Sequence, residues 1–300
     1  MDWTIFGIVT GVVVGLIVTI ILAIFKFGWK RILVRLGLKK HIPSLETMQQ
    51  QTADTVERVE QKIDELEQNL REGFGQDIAT ALDGVVRRAG EERLKNLEQA
   101  AVLTKNNNYR DAIPYFEASF EPNMSPSERM ALYLLIGNCY HSLSDFEEAE
   151  GEYRKAETAA KEENDKEGLA AALGNIGNIY QTKGELDKAL DYLQQALKIF
   201  KEIGKKEGEA SARGNIGVIY RIKGELDKAL DYHQQSLKIN REIGIKEGQA
   251  SALGNIGNIY QTKGELDKAL ELYEQVFKIE KEIGRRWGEA NALGNNRSYI

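Results

Sequence analysis

The string Ala172–Leu190, ALGNIGNIYQTKGELDKAL, returns letter for letter as Ala252–Leu270, and a near copy fills Ala212–Leu230, so the chain repeats itself every 40 residues. A period of this length marks a solenoid, because one unit is too small to bury its own apolar face and must stack on its neighbours. Within a period, a stretch from about Gly168 to Thr182 sets Leu173, Ile176, Gly177 and Tyr180 three and four apart, the spacing of one helix face. A second stretch, from about Glu185 to Glu202, does the same with Leu186, Ala189, Leu190, Leu193, Ala196, Leu197 and Phe200. Gly184 and Gly204 are placed to end the two helices in left-handed conformation. The unit is therefore expected to be a helical hairpin. Gly177 in mid-helix costs about 1 kcal/mol against Ala, which is sensible if its missing side chain lets the partner helix come close.

This order of residues resembles the tetratricopeptide repeat. The matching series is Leu173, Ile176, Gly177, Tyr180, Gly184, Ala189, Leu193 and Ala196, and again Leu253, Ile256, Gly257, Tyr260, Gly264, Ala269, Tyr273 and Val276. An earlier copy has Tyr133, Ile136, Gly137, Tyr140, Ala149, Tyr153 and Ala156, with Ser144 in place of the turn glycine, and a worn one has Ala100, Leu103, Ala112 and Phe116. Six residues beyond the family's usual unit lie around the join KEIGKKEGEA, where a longer second helix is expected. Forty-residue units of this kind are similar to those of cell-polarity adaptors and kinesin light chains. The resemblance implies an all-α fold, a right-handed superhelical solenoid of helix hairpins, serving as a protein-binding scaffold. The array is expected over residues 91–300, as about four to five repeats with units near 130–166, 170–203, 210–243 and 250–283 and a truncated last one.

In this family the first helix of each hairpin lines the concave side. Carried over by position, the resemblance implies a peptide-binding groove of Asn175, Asn178, Gln181 and Thr182, then Asn215, Val218 and Arg221, then Asn255, Asn258, Gln261 and Thr262, with Asn138 and Asn295 at related places. A carboxamide both donates and accepts, so a ladder of them suits the backbone of an extended or helical peptide or protein ligand. The alternative is that these Asn bond to neighbouring helices and hold the array together. Relatives that clamp chaperone tails carry basic residues on this stripe. Here Gly174, Gly214 and Gly254 stand at the corresponding positions, with Arg213 and Arg221 the only bases on or near it, which argues against that role.

Residues 1–28 form a predicted transmembrane anchor. Trp3–Phe25 carries no charge, and fifteen residues from Ile5 to Phe25 are Ile, Val, Leu or Phe, an insertion term of order −7 kcal/mol. A cleaved signal peptide would want a basic start and a small-residue cleavage site, whereas this chain starts Met1-Asp2 and its apolar run ends in Phe25-Lys26. All six basic residues of the first 40 follow the span, against the lone acid Asp2, a net of +5. The positive-inside rule then sets the N-terminus outside and the array in the cytoplasm, a single-pass membrane protein with a basic juxtamembrane segment at 29–43. The rest of the chain carries −11 of the overall −6, which excludes a nucleic-acid partner by bulk charge.

Gly7, Gly11 and Gly15 share one face of the span and are a candidate transmembrane dimer face. Residues 44–90 read as an amphipathic, coiled-coil-like linker, with Val56, Val59, Ile63, Leu66 and Leu70 at heptad spacing and Lys62 placed to meet Glu67 of a parallel partner. Two heptads are short, and a helix docked on its own solenoid is the alternative. A homodimer through these two segments is one expectation.

For catalysis the sequence offers nothing: His41, His141 and His233 are far apart, with His233 at the bulky position held elsewhere by Leu193 and Tyr273, and there is no phosphate loop, nucleophile elbow or metal-spaced cluster. No enzyme activity, metal or cofactor is expected. The single cysteine, Cys139, reads as a small buried hydrophobe. The Glu-Leu-Asp-Lys strings at 185, 225 and 265 open second helices, where acids favour the helix dipole. Past Leu293 the pattern breaks and stops in mid-helix. One inserted nucleotide in codons for Asn-Ile-Gly-Val-Ile-Tyr gives the observed Asn295-Asn296-Arg297-Ser298-Tyr299-Ile300, so a frameshifted or incomplete array that exposes Tyr273, Val276 and Phe277 is expected. Three functions follow: a membrane-anchored scaffold that recruits a protein or peptide, a self-assembling structural protein, or a sensor with a lost output domain.

Overall fold

The computed structural model describes residues 91–284 together with Gln61, Asp64–Leu66, Gln68 and Asn69. The chain divides into two units, Met1–Lys62 and Ile63–Ile300, and all the described residues except Gln61 belong to the second. The membrane span, its glycine face, the basic segment, most of the linker, His41 and the irregular end from Arg285 on lie outside the described residues. Among the described residues no helix is long and apolar enough to cross a membrane, and there is no strand.

Ten helices follow in pairs: α1 (Glu91–Lys105) with α2 (Tyr109–Glu117), α3 (Pro126–Ser142) with α4 (Phe146–Glu163), α5 (Lys166–Thr182) with α6 (Leu186–Glu202), α7 (Lys206–Ile222) with α8 (Leu226–Glu242), and α9 (Lys246–Thr262) with α10 (Leu266–Glu282). The expected hairpin is present, with one difference at the join. KEIGKKEGEA ends α6 at Glu202 and begins α7 at Lys206, so the extra residues lengthen both helices, each 17 residues, and not the second alone.

The turns explain the glycines. Gly184 has φ 76°, its N–H bonding to Gln181 O at 3.1 Å, while Glu185 N–H reaches back to Tyr180 O at 2.9 Å. These are the paired bonds that satisfy the last carbonyls of a helix. In the earliest full hairpin Ser144 takes the same left-handed conformation at φ 63°, which costs a residue with a Cβ roughly 1–2 kcal/mol. At helix starts Asp165 accepts from Gly168 N at 3.0 Å, and Ser125 and Glu128 form a reciprocal capping box on α3.

Packing is close at the glycine that follows Ile in the first helices α3, α5, α7 and α9. A Cβ on Gly177 would lie 2.8 Å from Leu193 Cγ, and one on Gly137, Gly217 or Gly257 would strike the ring of Tyr153, His233 or Tyr273 of its own hairpin. The core runs on between hairpins. Met130 and Leu134 of α3, Ala149, Tyr153 and Ala156 of α4, and Ala172, Ile176 and Ile179 of α5 form one buried cluster, and α6 and α7 share another. Burying such side chains is the main source of stability in a stack whose units have no closed core of their own. Between hairpins, Lys223 Nζ reaches Asp187 and Lys263 Nζ reaches Asp227, each at 2.6 Å, so the acids that open second helices also bind the following repeat.

Two expectations change here. Leu66 is 1% exposed within the cluster of Leu97, Ala100, Ala101 and Leu135, and Asn69 accepts from Lys105 Nζ at 3.2 Å. This heptad position thus packs on its own array, as the docked-helix alternative requires. Tyr273 is buried, not exposed, because its ring covers Gly257, and Val276 and Phe277 are half-buried. The expectation for Cys139 holds: it is fully buried in the first core cluster, and burial pushes its thiol up to about 12, far from a reactive thiolate.

Candidate groove and its polar pocket

First helices of successive hairpins touch one another, α3 with α5, α5 with α7 and α7 with α9, whereas second helices pack against the first helices on either side of them. The first helices therefore line the inner side of the stack, and their side chains at Asn138, Asn175, Asn178, Gln181, Asn215, Arg221, Asn255, Asn258 and Gln261 are all half-buried along it. Asn295 lies outside the described residues, and Thr182 and Thr262 turn back to bond the carbonyls of Asn178 and Asn258.

The stripe splits by what each carboxamide already holds. Asn138 Oδ1 accepts from Tyr153 OH at 2.6 Å, and Asn258 Oδ1 from Tyr273 OH at 2.7 Å, with Gln261 Oε1 3.0 Å from the same phenol. Asn178 Oδ1 accepts from Asn215 Nδ2 at 2.9 Å, which links α5 to α7 across the repeat boundary. These contacts hold the array. Asn175 and Asn255 have no side-chain partner among the described residues, so both of their carboxamides stay open to a ligand.

The middle hairpin departs from its neighbours at buried positions. His233 stands where the flanking hairpins have Leu193 and Tyr273, Ser236 where they have Ala196 and Val276, and Asn240 where α6 has Phe200. His233 is fully buried, and neither ring nitrogen has a hydrogen-bond partner among the described residues. Burial, and secondarily the Arg221 charge, press its pKa from 6.5 to about 4, so the ring is neutral at pH 7. Ser236 Oγ donates to Ala210 O at 2.8 Å, and Asn240 Nδ2 to Ser236 O at 3.0 Å. These three residues line a cavity of about 370 Å³ between α7, α8 and α9, whose rim includes Asn215, Val218 and Asn255 of the stripe. Ser236 and Asn240 were missed in the sequence. Comparing the three copies column by column would have found Ser236, because only the middle copy is polar there, whereas the Asn240 column runs Phe200, Asn240, Glu280.

Nearby, Glu209 is held below the usual carboxylate range: burial pushes it up, but Arg213 at 2.8 Å and Lys206 at 3.3 Å outweigh that. Arg213 is thereby tied to α7 itself and to Gln235 of α8, not offered to the groove. Among the described residues no three His, Cys, Asp or Glu side chains converge as a metal site would require.

The profile described as tetratricopeptide repeat matches residues 128–202 and 208–282. No curated protein matches the chain. Among solved structures, a Rap protein complexed with competence and sporulation factor superposes with a TM-score of 0.62 at 15% identity, over 79% of this chain and 80% of that one. The Rap conjugation gene regulator of plasmid pLS20, solved with the Phr* peptide, gives 0.59 at 16%, over 72% and 65%. BtubC (BKLC) from P. vanneervenii gives 0.56 at 18%, over 75% and 92%. At these identities the likeness is one of fold. With half of its length in two matches to the profile, and with the hairpins, turn glycines and glycine-to-ring contacts described above, this chain belongs to the tetratricopeptide repeat family.

Proposed function

We propose that the chain is a membrane-anchored scaffold that recruits a partner protein or peptide through the inner face of its repeat array. The observation that carries the reading is the pair Asn175 and Asn255: two half-buried carboxamides on the inner helices, with no partner in the array and Asn215 between them. An unpaired carboxamide offers both donors and an acceptor, the two kinds of group a peptide backbone must satisfy. The Rap regulator of pLS20, similar in fold, was solved with a peptide, which supports a peptide as the ligand class. The buried Cys139 and the isolated, neutral His233 suit binding better than chemistry.

The test is selection of a random nonapeptide library on the full chain, followed by affinities for the Asn175→Ala/Asn255→Ala double variant. Each lost hydrogen bond is worth about 0.5–1.5 kcal/mol, so affinity should fall roughly tenfold or more with helicity unchanged. Asn138→Ala, in contrast, should lower stability through Tyr153. Equal affinity of the double variant and the parent would refute the groove. Anchorage rests on the uncharged run Trp3–Phe25 and the basic residues that follow it. In alkaline carbonate extraction the full chain should stay with the membrane pellet and a chain starting at Lys30 should not; release of both would remove the anchor from the proposal.

A further inference from the structure

The cavity between α7, α8 and α9 is lined by His233, Ser236 and Asn240 at its base and Asn215 and Asn255 at its rim. In two other hairpins the polar side chain at the position of His233 finds a partner on its own first helix: Tyr153 reaches Asn138, and Tyr273 reaches Asn258. In the middle hairpin that partner position is Val218, so the ring is buried with both nitrogens unanswered. Leaving a buried polar group unpaired costs about 1–3 kcal/mol. The hairpin before it avoids this cost with Leu193 on Gly177, so the histidine is not required by the fold. Asn240, in turn, holds the place of Phe200 with a shorter and polar side chain, which leaves the space above it open.

We infer that this cavity is a specificity pocket that receives one uncharged carboxamide side chain, Gln or Asn, of the bound peptide. The inference rests on the groove proposed above and goes beyond it by naming a residue class. At the base the neutral imidazole both donates and accepts and the Asn240 carboxamide oxygen accepts, while the Ser236 hydroxyl proton is already given to Ala210 O. A ligand that also does both satisfies them; a carboxylate only accepts, and an aliphatic side chain leaves His233 as it is. The rim residues Asn215 and Asn255 belong to the stripe that would hold the main chain, so the side chain of a peptide lying there has a direct path inward.

The test is a positional-scanning nonapeptide library bound to the full chain, with Gln, Asn, Leu, Glu or Ser fixed at one position at a time. At one position Gln or Asn should be preferred over Leu and Glu by about tenfold, the worth of one or two hydrogen bonds. His233→Leu and Asn240→Phe install the residues of the preceding hairpin, Leu193 and Phe200, and so preserve the packing. Both should erase the preference while the peptide still binds. Imidazole nitrogen resonances of His233, assigned by their loss in His233→Leu, should shift with Gln-containing peptides and not with their Leu counterparts. Peptide binding without the preference, a preference kept in both variants, or selection of Glu would overturn the pocket and leave the groove standing. Failure of the parent to bind any peptide would overturn both.

Discussion

Two glycines three residues apart on the same helix should respond to the same substitution with opposite sign. In α5, a Cβ built on Gly174 meets nothing within 4 Å, whereas one on Gly177 lies 2.8 Å from Leu193 Cγ and 3.3 Å from the Ala189 carbonyl oxygen. Alanine is favoured over glycine in a helix interior by about 1 kcal/mol, so Gly174→Ala should stabilise by roughly that amount. At Gly177 the same gain is present, but Leu193 is fully buried and the other obstacle is backbone, so α5 and α6 must move apart. Overpacking of this kind costs about 1–3 kcal/mol, which leaves Gly177→Ala destabilised by about 1 kcal/mol. The two variants should differ by about 2 kcal/mol, roughly thirtyfold in a local opening equilibrium. Because repeat arrays need not unfold in one step, amide hydrogen exchange in α5 and α6 is the suitable readout. Adding Leu193→Ala to Gly177→Ala removes the atoms in the way, so the pair should cost less than the sum of its singles. Gly177→Ala as stable as Gly174→Ala, or additive with Leu193→Ala, would refute the claim that a missing side chain sets the approach of these helices.

Ser144→Gly should stabilise the α3–α4 hairpin by about 1 kcal/mol, measured by thermal or chemical denaturation, because it removes a left-handed conformation at φ 63° from a residue with a Cβ. Leu66→Ala should destabilise the α1–α2 region by about 2–5 kcal/mol, seen by hydrogen exchange, without changing the mass measured by light scattering; a change of oligomeric state instead would restore the interchain seam. His233 gives a pH dependence. Its folded pKa is depressed, so between pH 6.5 and 4 the unfolded chain binds more protons, and stability present at neutral pH is lost as pH falls through that window. The loss from pH 7 to pH 5 is about 2 kcal/mol. His233→Leu should abolish this part of it, as denaturation midpoints at the two pH values would report.

The stripe of carboxamides shows where reading residues in order reaches its limit. Period, spacing and glycine placement gave the hairpin and which of its helices is first, and through the family resemblance they picked out the inner-facing positions. What they left open was which Asn is already engaged. Asn138 and Asn258 are held because a tyrosine 15 residues on reaches them, and Asn178, which has Leu193 at that spacing, because Asn215 of the next hairpin does; Asn175 has Leu190 at that spacing, which offers nothing. That is a relation between residues brought together by packing, and no single position announces it.

The 40-residue period by itself determined the helices, the turns and the need to stack, because these follow from local backbone preferences and from an apolar face too small to close alone. It also determined the close approach at Gly177. Tertiary structure decided the rest: that Leu66 packs into the array, that the join lengthens both helices, and that His233, Ser236 and Asn240 surround one space. The physical reason is the same in each case. Burial and the pairing of polar groups depend on which atoms arrive from another helix, and a buried histidine becomes informative only once its neighbours are seen to leave it without a partner.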